Sequence, residues 1–292
     1  MEPKKALRHL RLICSACRLE LDGRDTSERT CSVCDRRWVL TKGKWWFAGE
    51  DRVVTYEATD SWKSVVKNYP RVYAFASNVL SPVYPHWFLE ARRLRRRLSD
   101  GDLVIDVGSG NQRLGESVVN VDLMPYPNVD VVTEADQLPF ADESVDVLIS
   151  IAMIEHVLDP AAVLSECHRV LKVGATAYIY VPFIQGFHAA PHDYQRLTRP
   201  GLLHALRHFD IERTENFGPT SGLIWILAEW LSIVLSFGFS HVQRILALIF
   251  TVILSPLKFI DVILRHFPGA ENISTGFLVV ARKPSPMAED CA

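Results

Sequence analysis

Val104-Ile105-Asp106-Val107-Gly108-Ser109-Gly110 is the stretch on which the fold of this 292-residue chain turns. A β-branched run carrying one acid ends in a glycine turn. Such side chains favour a pleated, buried strand, and glycines at 108 and 110 let the backbone approach a ligand closely. A second run, Val118-Val-Asn-Val-Asp122, ends on a carboxylate that can accept both hydroxyls of a ribose. A dinucleotide site needs a third glycine, but position 113 is Arg and no pyrophosphate-type glycine run follows, which argues against NAD. Further out, Leu103–Val107, Val118–Val121, Val129–Val132, Val145–Ile151 and Ala175–Val181 are short and β-branched, the pattern of buried parallel strands. Asp159–Leu171 has a helical apolar period (Ala162, Leu164, Cys167, Val170, Leu171). Asp159 is placed to cap it, Pro160 suits its first turn, and Gly174 follows its end. Strands alternating with helices predict a doubly wound α/β sheet.

These motifs carry a resemblance. Residues 102–182 resemble a class I S-adenosylmethionine (SAM) methyltransferase, close to the type 11 group. Asp106-Val-Gly-Ser-Gly-Asn matches the glycine loop and Asp122 the ribose-binding acid. Ala135-Asp-Gln-Leu-Pro-Phe140 matches the adenine stretch. Val145–Val157 matches the fourth strand with its Glu-His turn, and His168–Gly174 the turn before the fifth strand. The resemblance implies a Rossmann-like seven-stranded sheet. It implies that SAM is held by Asp106, Gly108, Ser109, Gly110, Asp122 and Leu123, with Asp136 accepting from the adenine amino group and Gln137 and Leu138 beside the base. The sequence departs from the family between Asp106 and Asp122. Only sixteen positions separate them, against about twenty in the usual pattern. Asn111–Ser117 is then too short for a full first helix, and a turn is expected. Arg113 is either a compensating cation for the methionine carboxylate or a solvated loop residue.

Hydrophobic residues make up 48% of the chain and charged residues 23%, enough to bury a core and too apolar for long disorder. Lys+Arg is 32 and Asp+Glu 34, for a net charge of −2, so the global basic excess of a nucleic-acid wrapper is missing. The opening residues lack a long apolar stretch. A cytoplasmic location with reduced cysteines is therefore expected. Cys14-x-x-Cys17, thirteen residues, then Cys31-x-x-Cys34 gives two knuckles spaced as in a zinc ribbon. Four protein ligands leave no open position, so the site is expected to be structural, and the metal stabilises about fifty residues that cannot bury enough core alone. The segment is similar to small zinc-ribbon modules found beside or fused to methyltransferases. Cys167 reads as a helix core residue and Cys291 as part of the tail.

The acceptor wall is expected after strands four and five. There the sequence offers Glu155-His156 and the run Phe183–Thr198, which packs His188, His192, Asp193, Tyr194 and Arg196 closely together. His192 is the first choice of general base, Asp193 a neighbour that could orient it, and His188 the second choice, because His exchanges a proton near neutral pH. The alternative is a structural turn capping a helix that starts near Arg199. Glu155-His156 reads equally as helix cap, pocket wall or chemistry. The His-Asp-Tyr…Arg…Thr stretch resembles methyltransferases of bacterial surface-glycan and lipid-linked pathways.

Residues 209–214 and 276–282 should be the sixth and seventh strands. Between them lie two apolar runs, Leu223–Phe239 and Ile245–Leu264, which predict a hydrophobic helical hairpin leaving and returning on one side of any membrane. Glu229, Pro256, Lys258 and Asp261 argue against clean spans, and His241, Gln243 and Arg244 are expected to form the polar break. A membrane-embedded or interfacial hairpin on the cytoplasmic face of the membrane competes with a dimer interface or packed core helices. The domain reading is a zinc ribbon over 1–49, a helical cap or linker over 50–98 and a methyltransferase domain over 99–284. The hydrophobic insert falls at 222–269 and a tail at 285–292. The cap carries Trp62, Tyr69, Tyr73, Tyr84, Trp87 and the basic run Arg92–Arg97, a solvated face or a contact for anionic headgroups. The expected activity is methyl transfer to an O or N atom of a small, lipid-linked or glycan acceptor. Two rivals are an rRNA or tRNA methyltransferase guided by the ribbon and a non-catalytic partner protein that keeps the fold.

Overall fold

The computed structural model describes residues 7, 10–22, 27–48, 98–99, 101–187 and 192–285. His188, Cys291, Trp62, Tyr69, Tyr73, Tyr84, Trp87 and Arg92–Arg97 lie outside the described residues.

The sheet is built from the runs that the sequence marks. Its strands are β4 (Val104–Val107), β5 (Val118–Asp122), β6 (Val131–Val132), β7 (Val145–Ile151), β8 (Leu171–Pro182), β9 (Asp210–Phe217) and β10 (Gly276–Arg282). They lie in the order β6-β5-β4-β7-β8-β10-β9. The first five are parallel, and β10 pairs antiparallel with both β8 and β9. β4 is buried along its whole length, as a central strand covered on both faces must be. Between β7 and β8 stands α1 (Pro160–Val170), whose N-terminus is capped by Asp159, with Oδ1 accepting from Ala162 N at 3.0 Å. Its apolar stripe (Val163, Leu164, Cys167, Val170) joins the main core. β8 starts directly at Leu171, so Gly174, at φ +75°, sits inside the irregular start of that strand rather than in a helix-ending turn. Asn111–Ser117 forms turns and bends, so β4 and β5 are joined without a helix.

The N-terminal module extends this sheet. β1 (Glu28–Thr30), β2 (Arg37–Thr41) and β3 (Lys44–Trp46) form an antiparallel ribbon, and β3 pairs in parallel with β6 through Trp45↔Val131 and Trp46↔Val132. The junction is dry: Leu7, Leu10, Leu12, Leu21 and Trp45 share one buried cluster with Leu138 and Phe140. Each such side chain contributes about 1.5–3 kcal/mol by leaving water. Polar ties flank it. Arg18 reaches Glu166 at 2.7 Å, and Lys44 Nζ donates to the carbonyls of Tyr126 and Val129 at 2.7 and 2.6 Å.

The hydrophobic insert is a helical hairpin between β9 and β10. α2 (Arg199–Ala205) precedes β9. α3 (Pro219–Leu235) leaves the sheet, residues 236–239 form the tip, and α4 (Ser240–Leu254) returns. A 3-10 turn (Ser255–Ile260) and α5 (Asp261–Leu264) continue α4. The break therefore falls at Ser236–Phe239, where Phe237 and Gly238 take positive φ, and His241, Gln243 and Arg244 lie in the first turns of α4. Ser240–Leu264, 25 residues, is long and apolar enough to cross a membrane by length and composition. Asp261 is not a charge stranded in an apolar run. α3 begins at Gly218, which has no capping side chain, and the buried Asp261 carboxylate accepts from Thr220 N, Ser221 N and Ser221 Oγ at 2.7–3.0 Å. The returning helix thus caps the outgoing one.

Candidate active site

A cavity of about 790 Å³ opens at the carboxyl ends of β4, β5 and β7, within the usual size of small-molecule sites, about 300–1,000 Å³. One wall is the glycine turn. Gly108 holds φ +76°, and a side chain there would collide with Met153; Gly110 holds φ +56° and faces open space, so its backbone is bare to a ligand. Any L-residue at either position would be strained.

Asp106, Asp122 and Asp136 line this one cleft together with Gly108, Ser109, Gly110 and Leu123. Asp122 Oδ2 accepts from Gly110 N and Oδ1 from Met124 N, both at 2.7 Å, so the carboxylate fixes the turn while each oxygen keeps further acceptor capacity. Asp106 is buried, and among the described residues its Oδ1 meets no hydrogen-bond donor. Burial, with the neighbouring Asp122 charge adding to it, pushes the Asp106 carboxyl up to about 7. An orphaned, reluctant carboxylate in a cleft is a seat for a cationic group. Gln137 and Leu138 do not line the cavity. Leu138 is in the core beneath the N-terminal module, and Gln137 is exposed with its carbonyl accepting from Thr133 Oγ1 at 2.9 Å.

Arg113 is neither a cation in the cleft nor a solvated residue. It reaches Asp130 at 3.3 Å and donates to the Asn128 carbonyl at 2.5 Å, tying the β5–β6 connection in place of the missing helix. Asn111 and Met153, from the matched motifs, and Met124, Tyr126, Glu134 and Leu158, which carry no motif, complete the wall. Ala152, at φ +52°, was marked by nothing in the sequence, yet it turns the chain at the end of β7 into the cavity.

The acceptor side differs from expectation. His192 does not line the cavity and is exposed; its ring lies 5.4 Å from that of Tyr194. Asp193 does not orient it. The Asp193 side chain is 2% exposed and pairs with Arg196, with Oδ2 accepting at 2.6 Å. Arg196 in turn donates to the Gln185 and Gly186 carbonyls at 3.4 and 3.2 Å. The histidine in the cavity wall is His156, in the 3-10 turn Ile154–His156 after β7. Its Nδ1 donates to the His192 carbonyl at 2.5 Å. A carbonyl only accepts, so Nδ1 carries the hydrogen and a neutral ring keeps its lone pair on Nε2. That Nε2 lies 3.6 Å from Oε1 of the fully buried Glu155. Tyr194, held by Tyr194 N donating to the Glu155 carbonyl at 2.8 Å, lines the cavity alongside.

The four ribbon cysteines gather as expected of a ligand set. Their sulfurs all lie within 4.8 Å of one another, Cys14 and Cys34 at 3.7 Å. Four thiolates around zinc at about 2.3 Å stand roughly 3.8 Å apart, so the spacing fits a tetrahedral ion.

Residues 106–179 match a family model described as a methyltransferase domain. A demethylmenaquinone methyltransferase of Chlorobaculum parvum is 27% identical over 154 residues, 45% of this chain and 64% of that one. A probable S-adenosylmethionine-dependent methyltransferase of Mycolicibacterium smegmatis is 41% identical over 58 residues, 20% of this chain and 23% of that one. The chain thus spans less than two thirds of the length of these relatives. Among solved structures, phosphoethanolamine N-methyltransferase 2 of Haemonchus contortus, in complex with phosphomonomethylethanolamine and S-adenosylhomocysteine, superposes with a TM-score of 0.50 at 19% identity. It covers 82% of this chain and 61% of that one, a likeness of fold. With the sheet order, the glycine turn and the matched residues in agreement, the chain carries a methyltransferase domain of the class I, S-adenosylmethionine-dependent family.

Proposed function

We propose that the protein is a SAM-dependent methyltransferase acting on an O or N atom of a small, lipid-linked or glycan acceptor, and that it works docked on a membrane surface. The observation that carries the reading is one cleft that brings Asp106, Asp122 and Asp136 together with an open glycine turn and a histidine. SAM supplies an electrophilic methyl on a sulfonium. Asp106, once ionised, would attract its cationic half, Asp122 offers acceptors for the ribose, and Asp136 is available to the adenine amino group. Methyl transfer in line needs alignment more than chemistry from the protein. A hydroxyl or ammonium acceptor also needs somewhere to leave its proton. His156 Nε2 serves as that base in this reading, because the His192 carbonyl takes the Nδ1 hydrogen and keeps the ring's lone pair on Nε2. His192 contributes its backbone, Asp193 and Arg196 hold the acceptor loop, and His188 keeps only its sequence argument.

Membrane docking rests on the hairpin. Exposed Val242, Ile245, Leu248, Val252, Ile253 and Ile263, with Leu257, Phe259, Ile260 and Val262, spread over roughly two thirds of the circumference of α4 and its continuation at 100° per residue. An exposed apolar arc that wide, with a polar remainder, suits a helix lying in the lipid interface. Glu229 and Gln243, in contact across the hairpin at 3.5 Å, and Arg244 favour an interfacial position over a span. A relative named as a demethylmenaquinone methyltransferase is in keeping with a lipid-linked acceptor. Zinc held by Cys14, Cys17, Cys31 and Cys34 would be structural, since four thiolates close its coordination.

The test is incubation of the full chain with methyl-labelled SAM and a membrane lipid extract. Label entering the organic phase, and lost by at least about a hundredfold in His156→Ala, supports the reading. Label appearing only in water-soluble acceptors or in RNA contradicts it.

A further inference from the structure

The hairpin and the cavity share one edge of the sheet. β9 is antiparallel to β10 and β10 to β8, so β9 runs parallel to β8, and Phe217 and Pro182 both face Gly276. α3 therefore leaves from the same carboxyl edge that opens into the cavity. Three strand spacings separate β9 from β7, about 15 Å.

At its root, α3 packs on the loop that follows β8. A side chain at Gly186 would come within 2.8 Å of Trp225 Nε1, and one at Gly222 within 2.8 Å of the Ile184 carbonyl. A glycine on each partner thus lets loop and helix touch. Phe183 N and Ile184 N donate to the Thr275 and Ser274 carbonyls at 2.7 and 3.1 Å, where the insert rejoins the sheet. From its other side the loop is held by Arg196, which is locked by Asp193. The same 192–196 segment supplies the carbonyl that seats His156 and the Tyr194 ring of the cavity wall. The series runs from Trp225 through Gly186 and Arg196 to Asp193, and along the chain to the neighbouring His192 carbonyl that seats His156.

We propose that Trp225 is a positioning residue through which docking of the hairpin on a bilayer orders the acceptor wall. The methyltransferase is then fully assembled only at the membrane surface. This rests on the membrane-docking part of the function proposed above, not on the identity of the acceptor. Without a bilayer, the root of α3 is held by the Asp261 cap and its contacts with the loop, and among the described residues its distal turns have no hold of their own. A docked hairpin fixes α3, the 183–187 loop and the 192–196 segment together. The activity is then gated by surface binding with no change at the SAM side.

Hydrogen–deuterium exchange of the full chain, with and without vesicles of equal parts phosphatidylethanolamine and phosphatidylglycerol, tests this. The wild type should float with the vesicles, and amides of 183–187 and 192–196 should then exchange at least about tenfold more slowly. Gly186→Ala, which wedges the contact without removing a side chain, and Trp225→Ala should both float and bind SAM as the wild type does, yet lose the vesicle-dependent slowing. Flotation without slowing in the wild type, or slowing that persists in both variants, overturns the coupling while leaving membrane docking intact. Absence of flotation overturns both, and a SAM titration on the same samples shows separately whether the methyltransferase reading stands.

Discussion

At the residue scale, the cleft is governed by two carboxylates of different character. Asp122 is spent partly on the backbone of the glycine turn, whereas Asp106 is buried and holds its proton to about pH 7. The sign of its linkage follows. Its folded pKa lies above the unfolded value of about 3.9. The empty protein therefore loses stability as pH rises from roughly 4 to 7 and changes little above that on this account. Ligand affinity moves the other way, because the ionised carboxylate is the form that attracts a cation. SAM affinity should rise several-fold between pH 6 and 8, and Asp106→Asn should flatten that rise, as calorimetry across the range would show. On the acceptor side, His156→Ala should stop turnover and leave SAM affinity unchanged, while His192→Ala should retain most activity because only its carbonyl is used. Equal losses in both variants would return His192 to the mechanism. The sequence put His192 beside Asp193 and made them look like a pair. Asp193 instead pairs with Arg196, three residues on, while His192 is exposed.

At the element scale, legibility followed burial. β4, β5, β7 and β8 were readable because parallel strands covered on both faces must be apolar and β-branched throughout. α1 was readable from its cap and stripe. The β4–β5 link was correctly read as too short for a helix, but the use made of Arg113 there needed coordinates, since its partners come from the β5–β6 connection. The hairpin was legible as a hairpin, yet not its internal logic. Asp261 looked like a blemish in an apolar run and is the cap of α3. Asp261→Ala should cost about 1–3 kcal/mol by leaving those donors unsatisfied, read as a lower denaturant midpoint. Asp261→Asn should cost less. A second electrostatic tie joins α1 to the N-terminal module. Burial works against the Glu166 charge, but hydrogen bonds from Arg169 and Arg18 outweigh it and hold the carboxyl below the ordinary range. A depressed acid contributes stability above its unfolded pKa and loses it as pH falls through the folded one. Docking of the module should therefore weaken only below about pH 4.5, and Glu166→Gln should remove that part of the acid dependence.

At the scale of the whole molecule, the ribbon, the sheet and the hairpin are mechanically one object. The ribbon adds β3 to the edge beside β6 and clamps the Tyr126–Val129 carbonyls through Lys44, next to a residue of the cavity wall. If the cysteines hold zinc, chelation should lower the melting temperature by roughly 10 °C, through several kcal/mol of lost folding energy. It should also weaken SAM binding without touching any SAM contact. Metal analysis should return one zinc per chain, and none in Cys31→Ser. The ribbon was plain in the sequence because ligand spacing is local; its continuity with the main sheet was not, because an edge pairing between Trp45 and Val131 leaves no local trace.

The central claim is that Asp106, Asp122 and Asp136 form the binding cleft for SAM, and isothermal titration of SAM into the full chain tests it most directly. Saturable binding of one SAM per chain is expected, weakened at least about tenfold in Asp122→Ala by loss of charge-assisted hydrogen bonds. No heat up to millimolar SAM, or equal affinity in wild type and Asp122→Ala, would contradict it.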